Sequence, residues 1–269
     1  MPRVYAFTNQ KGGVGKTTTV VNVAACISEW GWRTLVVDID PQSNATTSLG
    51  IDPRSLSVSV YDVLVGAQAA PDIVRNTRWR DLDLLPASPS LAGASVELNQ
   101  LPVRERAERL REALSTVQDY DYILIDSPPS LGVLTVSALA AAQGVLVPVQ
   151  CEYLALEGLS QLMHTVALVR RSLNPDLELR GVIVTMYDRR TTLSRQVADE
   201  LRAHFAPRVF DTIVPRSVRL SEAPSYGEPG VFYAPHSTGA IAYRLVTREL
   251  LLGDGLVPAW APPADPGSE

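Results

Sequence analysis

The sequence predicts an α/β fold: a single domain built on a doubly wound, mostly parallel sheet of about seven or eight strands, with helices on both faces. Three observations predict it. Apolar runs of strand length recur from residue 3 to residue 252, with helical stretches between them. These runs are apolar throughout instead of alternating with polar residues, as strands buried on both faces must be. Two runs end in aspartate and one enters a glycine-rich loop, so the chemistry gathers at strand carboxyl ends, where open α/β sheets place their ligands. Hydrophobic residues make up 46% and charged residues 20% of the 269, which excludes disordered and fibrous classes.

The first run, Val4-Tyr5-Ala6-Phe7, is followed by Gln10-Lys11-Gly12-Gly13-Val14-Gly15-Lys16-Thr17-Thr18 and a helical pattern over residues 18–30. Strand, glycine loop and helix in that order form the context of a phosphate-binding loop. Gly12, Gly13 and Gly15, with Val14 among them, let backbone N–H groups converge on phosphate oxygens, and the helix N-terminus adds partial positive charge. Lys16 is placed to reach the β and γ phosphates of ATP, the Thr17 hydroxyl to ligate Mg²⁺, and Thr18 to close the cradle. Lys11 and Lys16 are the only lysines, against 22 arginines. A chain that keeps two compact ammonium groups in one loop uses them where a rigid guanidinium would not serve.

The second run, Thr34-Leu35-Val36-Val37, ends in Asp38-Ile39-Asp40-Pro41-Gln42-Ser43-Asn44-Ala45-Thr46. The third, Tyr122-Ile123-Leu124-Ile125, delivers Asp126 from a buried strand, the arrangement that presents one carboxylate to Mg²⁺, usually through water. Two further buried strands are expected at residues 145–150 and 181–186. The latter leads to Tyr187-Asp188-Arg189-Arg190-Thr191, and a later block reads Val214-Pro215-Arg216 onward to Glu222-Ala223-Pro224-Ser225.

The loop has Gln10 where the standard motif has its first glycine, and it carries Lys11. In this it resembles the deviant Walker A loop of the ParA/MinD ATPases, P-loop NTPases of the SIMIBI type. Residues 38–46 are similar to the D-x-D-P-Q-G-N-A-T switch of ParA proteins, with Ser43 in place of glycine, which makes the local backbone less permissive. Residues 126–130 resemble the second switch, residues 152–159 the segment leading into a dimer-facing helix, and residues 213–225 the V-P-R…E-A-P-S block of chromosomal ParA/Soj proteins. The resemblance implies a homodimer bridged by ATP, in which Lys11 crosses to the partner's nucleotide. It further implies that Lys11, Lys16 and Asp40 are the catalytic groups, Asp40 orienting the attacking water. Thr17, Asp38 and Asp126 would serve the metal side, and Met186 and Pro215 would lie near adenine.

Net charge is −5, yet residues 170–220 hold ten arginines against six acids, a local balance of +4 that leaves −9 for the remainder. Phosphate-backbone binding depends on such a local face and not on the total. Arg189, Arg190, Arg195, Arg202, Arg216 and Arg219 are therefore expected to include contacts to double-stranded DNA. Arg190 and Arg219 stand foremost because they match arginines of Soj-type motifs. The whole is read as a chromosome or plasmid partition ATPase, cytoplasmic and nucleoid-associated, stimulated by a ParB-type centromere-binding protein. Alternatives are a MinD-like division-site regulator and a metabolic ATP-dependent synthetase. The ATPase domain is expected over residues 1–252. A Pro-rich, disordered tail over 253–269 lacks the basic amphipathic character of a membrane helix, so no membrane partner is expected.

Overall fold

Strands with apolar side chains on both faces need cover on both, and the chain supplies it with helices on each side of the sheet. The computed structural model describes residues 1–153, 155–258 and 260. In chain order its elements are β1 (Arg3–Phe7), α1 (Lys16–Glu29), β2 (Thr34–Asp38), α2 (Asn44–Ser48), α3 (Val60–Leu64), α4 (Ala70–Ile73), β3 (Arg75–Asn76) and β4 (Leu82–Leu85). There follow α5 (Leu91–Leu98), α6 (Val103–Ser115), β5 (Tyr122–Asp126), α7 (Val133–Ala141), β6 (Gly144–Gln150), α8 (Ala155–Ser172) and β7 (Glu178–Thr185). The last helices are α9 (Thr192–Phe205), α10 (Val218–Glu222), α11 (Gly230–Tyr233) and α12 (Thr238–Gly253).

The sheet has seven strands in the order β3-β4-β2-β5-β1-β6-β7. All neighbours run parallel except the short edge strand β3, which pairs antiparallel with β4. Side-chain alternation splits each central strand between two cores. Val4, Ala6, Leu35, Val37, Ile123 and Ile125 pack on one face with α3 and α5 to α9. Tyr5, Phe7, Val36, Tyr122 and Leu124 pack on the other with α1, α11 and α12. β5 lies between β1 and β2, so the ends of these three strands meet, and Asp126 is the register partner of both Phe7 and Asp38.

At the opposite, amino-terminal edge of the sheet a single carboxylate gathers three strands. Asp254 accepts from Tyr5 Oη (2.7 Å), Tyr122 Oη (2.9 Å) and Arg180 Nη2 (3.0 Å), while Arg3 Nη2 donates to its carbonyl oxygen (2.7 Å). The side chain is 2% exposed, and burying a carboxylate this deeply requires such partners. The structured body thus extends past the boundary expected at residue 252, because α12 runs to Gly253 and Asp254 is its anchor. Of the remainder assigned to the tail, Trp260 stacks on Trp30 at 5.7 Å between ring centroids, and residues 259 and 261–269 lie outside the described residues.

Candidate active site

The chain leaves β1 into the glycine loop and enters α1 at Lys16, two residues before the helical pattern expected from sequence. Gly13 (φ 76°) and Gly15 (φ 80°) occupy the left-handed region, which a side chain would disfavour. Gly15 is the N-cap and offers no side-chain acceptor, so the first-turn N–H groups of α1 face the loop. The Val14 carbonyl is fixed by Thr185 Oγ1 at 2.8 Å. The resulting cleft, about 340 Å³, is lined by every residue from Lys11 to Thr18 and by Asp40, Pro129 and Met186. Gln42, Asn44, Thr47, Ser48 and Pro224 also line it. Sequence reasoning did not single these out, although Gln42 and Asn44 lie within the switch motif and Pro224 within the E-A-P-S block.

Asp126 and Asp38 stand side by side at the ends of β5 and β2, both fully buried. Thr17 Oγ1 donates to Asp126 Oδ2 at 2.7 Å, while Asp126 Oδ1 is buried with no partner. A threonine hydroxyl beside an orphaned carboxylate oxygen, both oxygen donors, suits hydrated Mg²⁺. Asp38 differs. Its Oδ1 accepts from Asp40 N–H (3.1 Å), and its Oδ2 accepts from both Thr46 N–H (2.8 Å) and Thr46 Oγ1 (2.7 Å). These bonds tether residues 40–46 to the end of β2. Burial pushes both carboxyls upward. For Asp38 the neighbouring Asp126 charge adds to the rise, whereas for Asp126 the Lys16 ammonium and Thr17 hydroxyl oppose it.

Asp40, 4% exposed, accepts from Gln42 N–H at 2.9 Å and borders the cleft. Three residues on, Ser43 takes the left-handed conformation (φ 53°, ψ 34°) that a glycine would adopt freely. Its Oγ is buried without a partner. Across the loop Met186 is likewise left-handed (φ 51°). The Met186 Cε atom lies 3.6 Å from where a Cβ on Gly15 would stand. Tyr187 bridges to Pro215, so Met186 and Pro215 come together in a small hollow of about 80 Å³ that shares Gly15, Thr18 and Met186 with the main cleft.

Residues 2–179 match the family described as "AAA domain". Over 251 residues the chain is 52% identical to the sporulation initiation inhibitor protein Soj of Bacillus subtilis (strain 168), covering 93% of this chain and 98% of that protein. It is 49% identical over 252 residues to the chromosome partitioning protein ParA of Caulobacter vibrioides (strain NA1000 / CB15N), covering 93% and 94% respectively. The chain belongs to the Soj/ParA family. Among solved structures it is similar to the cobyrinic acid a,c-diamide synthase of Mycobacterium smegmatis with bound ADP and magnesium, at 41% identity and a TM-score of 0.83, covering 97% of this chain and 100% of that one. The ATP complex of McdA from Cyanothece, at 20% identity, 97% and 99% coverage and a TM-score of 0.85, shows the fold alone.

In this Soj/ParA-family chain Lys11 lies at the rim of the cleft. Its ammonium forms a salt bridge with Glu152, on the loop between β6 and α8, and both side chains are roughly half exposed. Leu154, in the segment that resembles the entry to a dimer-facing helix, lies outside the described residues.

The six arginines of the basic segment are all exposed. Arg189 and Arg190 follow β7, Arg195 is in the first turn of α9, and Arg216 is joined to the β7 end through its N–H to Tyr187 O (3.1 Å). Arg202 is two turns farther along α9 and reaches Asp211 O at 3.5 Å. Three are already paired: Arg190 with Asp188 (2.8 Å), Arg219 with Glu222 (2.9 Å) and Arg202, loosely, with Asp199 (4.0 Å). Arg190 holds the Asp188 carboxyl down at about 2. Arg189, Arg195 and Arg216 have no ion pair among the described residues.

Proposed function

We propose that this chain is a DNA-partition ATPase, hydrolysing ATP to ADP and phosphate with Mg²⁺ in a nucleotide-bridged homodimer. One observation carries the reading. Lys16, the Thr17–Asp126 pair and Asp40 converge from three different strand ends on one cleft whose floor is a helix N-terminus. The names of the relatives, partitioning proteins among them, support the biological assignment.

Backbone N–H groups from Gly12 to Thr17 would cradle the β and γ phosphates, with Lys16 between them. Mg²⁺ would be held by Thr17 Oγ1 and, through water, by Asp126, and would draw charge off the transferring phosphoryl group. Asp40, fixed by Asp38 and Gln42, would orient the attacking water. Lys11, swung to the partner's nucleotide, would neutralise charge developing there. Met186 and Pro215 would flank the base. The dimer would join two arginine faces into one surface for duplex DNA of any sequence, since phosphate contacts carry no base readout. A ParB-type protein would stimulate hydrolysis, and loss of the γ phosphate would free residues 40–46 and part the subunits. Retention on the nucleoid follows from the DNA contacts. Among the described residues no helix is long and apolar enough to cross a membrane.

The test is ATP hydrolysis and self-association measured with and without duplex DNA. Lys11→Ala should stay monomeric with a non-hydrolysable analogue, and Asp40→Ala should stay ATP-bound, dimeric and on DNA. Rapid hydrolysis by Asp40→Ala would overturn its role. A second reading, a metabolic ATP-dependent synthetase, is favoured by the solved relative's name, a diamide synthase with bound ADP and magnesium. Turnover that requires a carboxylic acid and a nitrogen donor, and ignores DNA, would favour it.

A further inference from the structure

The two lysines of the loop stand in different electrostatic surroundings. Lys16, 7% exposed, lies close enough to Asp126 for its charge to draw that carboxyl's titration downward. Lys11 is paired instead with Glu152, 141 positions away, and that contact lies on the rim. The backbone around Lys11 has little freedom. Asn9 Nδ2 donates to Pro148 O (2.8 Å) while Asn9 Oδ1 accepts from the Lys11 N–H (3.0 Å). Gln10 Nε2 donates to Gly158 O (3.1 Å) and to Gln161 Oε1 (2.9 Å) on α8. Residues 9–11 are thereby tied to β6 and α8, and only the four-carbon stem of Lys11 can carry its charge elsewhere.

We propose that Glu152 is a positioning residue for Lys11: a cis counter-ion that parks the ammonium on its own subunit and sets the nucleotide concentration at which dimers form. The proposal rests on the reading that Lys11 crosses to the partner's triphosphate. To cross, the ammonium must leave Glu152, and the abandoned carboxylate then stands near the interface as a like charge to the incoming polyanion. Both effects oppose association. A pair this exposed is weak, which suits a catch that ATP can release: breaking an exposed ion pair shifts an equilibrium by roughly 1.4- to 5-fold. A two-fold dimer breaks two of them, so the factors multiply to roughly 2- to 30-fold.

The experiment measures dimer dissociation constants by analytical ultracentrifugation with a non-hydrolysable ATP analogue and Mg²⁺, for the full chain and for Glu152→Gln, Lys11→Ala and the double variant. Glu152→Gln should dimerise more tightly by that factor, and the advantage should shrink as salt screens the wild-type pair. Lys11→Ala and the double variant should both stay monomeric, because loss of the Glu152 charge tightens a dimer only where the Lys11 ammonium is there to cross. Unchanged or weaker dimerisation of Glu152→Gln, with Lys11→Ala monomeric, would overturn the catch and leave the sandwich reading intact. Wild-type dimerisation by Lys11→Ala would overturn both.

Discussion

Ser43 shows how far one residue can be read before a structure exists. Its position in the switch motif was legible, as was the substitution of serine for glycine, but whether the backbone would yield to the side chain was not. The structure keeps the left-handed geometry and accepts the cost. That cost is about 1–2 kcal/mol for an L-residue in this region, to which an unpartnered buried hydroxyl adds about 1–3 kcal/mol. Glycine's greater freedom in the unfolded chain returns about 0.5–1 kcal/mol. Ser43→Gly should therefore stabilise the protein by about 1–4 kcal/mol, seen as a melting midpoint raised by several degrees. A lowered midpoint would show that Ser43 is not strained. The role of Asp38 was harder to see, because a motif gives the order of residues and not their bonds. Only the structure shows the three donors that tie it to residues 40–46.

The elements that carry the cleft announced themselves, since β1, β2, β5, β6 and β7 are apolar runs fed by motifs. The stretch from α3 to α6 did not. β4 is four residues with an aspartate inside and β3 is two, too short for periodicity to register. Among the legible elements β2 and β5 make a joint prediction, because their terminal carboxyls are buried together and raised. A carboxyl whose pKa is raised on folding adds stability at low pH and loses it as pH rises through the folded value. The metal-free protein should thus gain stability from this pair on going from about pH 8 to about pH 5, until general acid unfolding intervenes. Mg²⁺ needs Asp126 ionised, so with nucleotide its affinity should rise with pH and its binding should release protons. Calorimetry in two buffers of different ionisation enthalpy would measure that release. A proton count of zero at neutral pH would contradict it.

At the scale of the whole molecule, the acidic total sits beside an arginine-rich segment over residues 170–220, and the proposed DNA contacts within it carry no order in sequence. Ion pairs supply the order. Arg190 and Arg219 must surrender Asp188 and Glu222 before meeting a phosphate, whereas Arg189, Arg195 and Arg216 are free of such partners among the described residues. Each phosphate contact contributes about −0.9 to the slope of log affinity against log salt. Removing one arginine from both halves of a dimer should flatten that slope by about 1.8. Alanine at 189, 195 or 216 should do so, and alanine at 190 or 219 should do less; the reverse ranking in salt-titrated fluorescence anisotropy would reject the assignment. Longer-range links such as Lys11 to Glu152 left no trace in sequence, because nothing in local pattern joins positions 141 apart. The clasp between Arg3 and Asp254 spans 251 positions and closes the described chain almost into a ring. A short peptide joining the start of β1 to the segment after α12 would seal the ring without shifting the sheet. Fresh ends could then be opened at the exposed turn over residues 66–69, and a reporter attached beside the clasp would hang on the side of the sheet away from the phosphates.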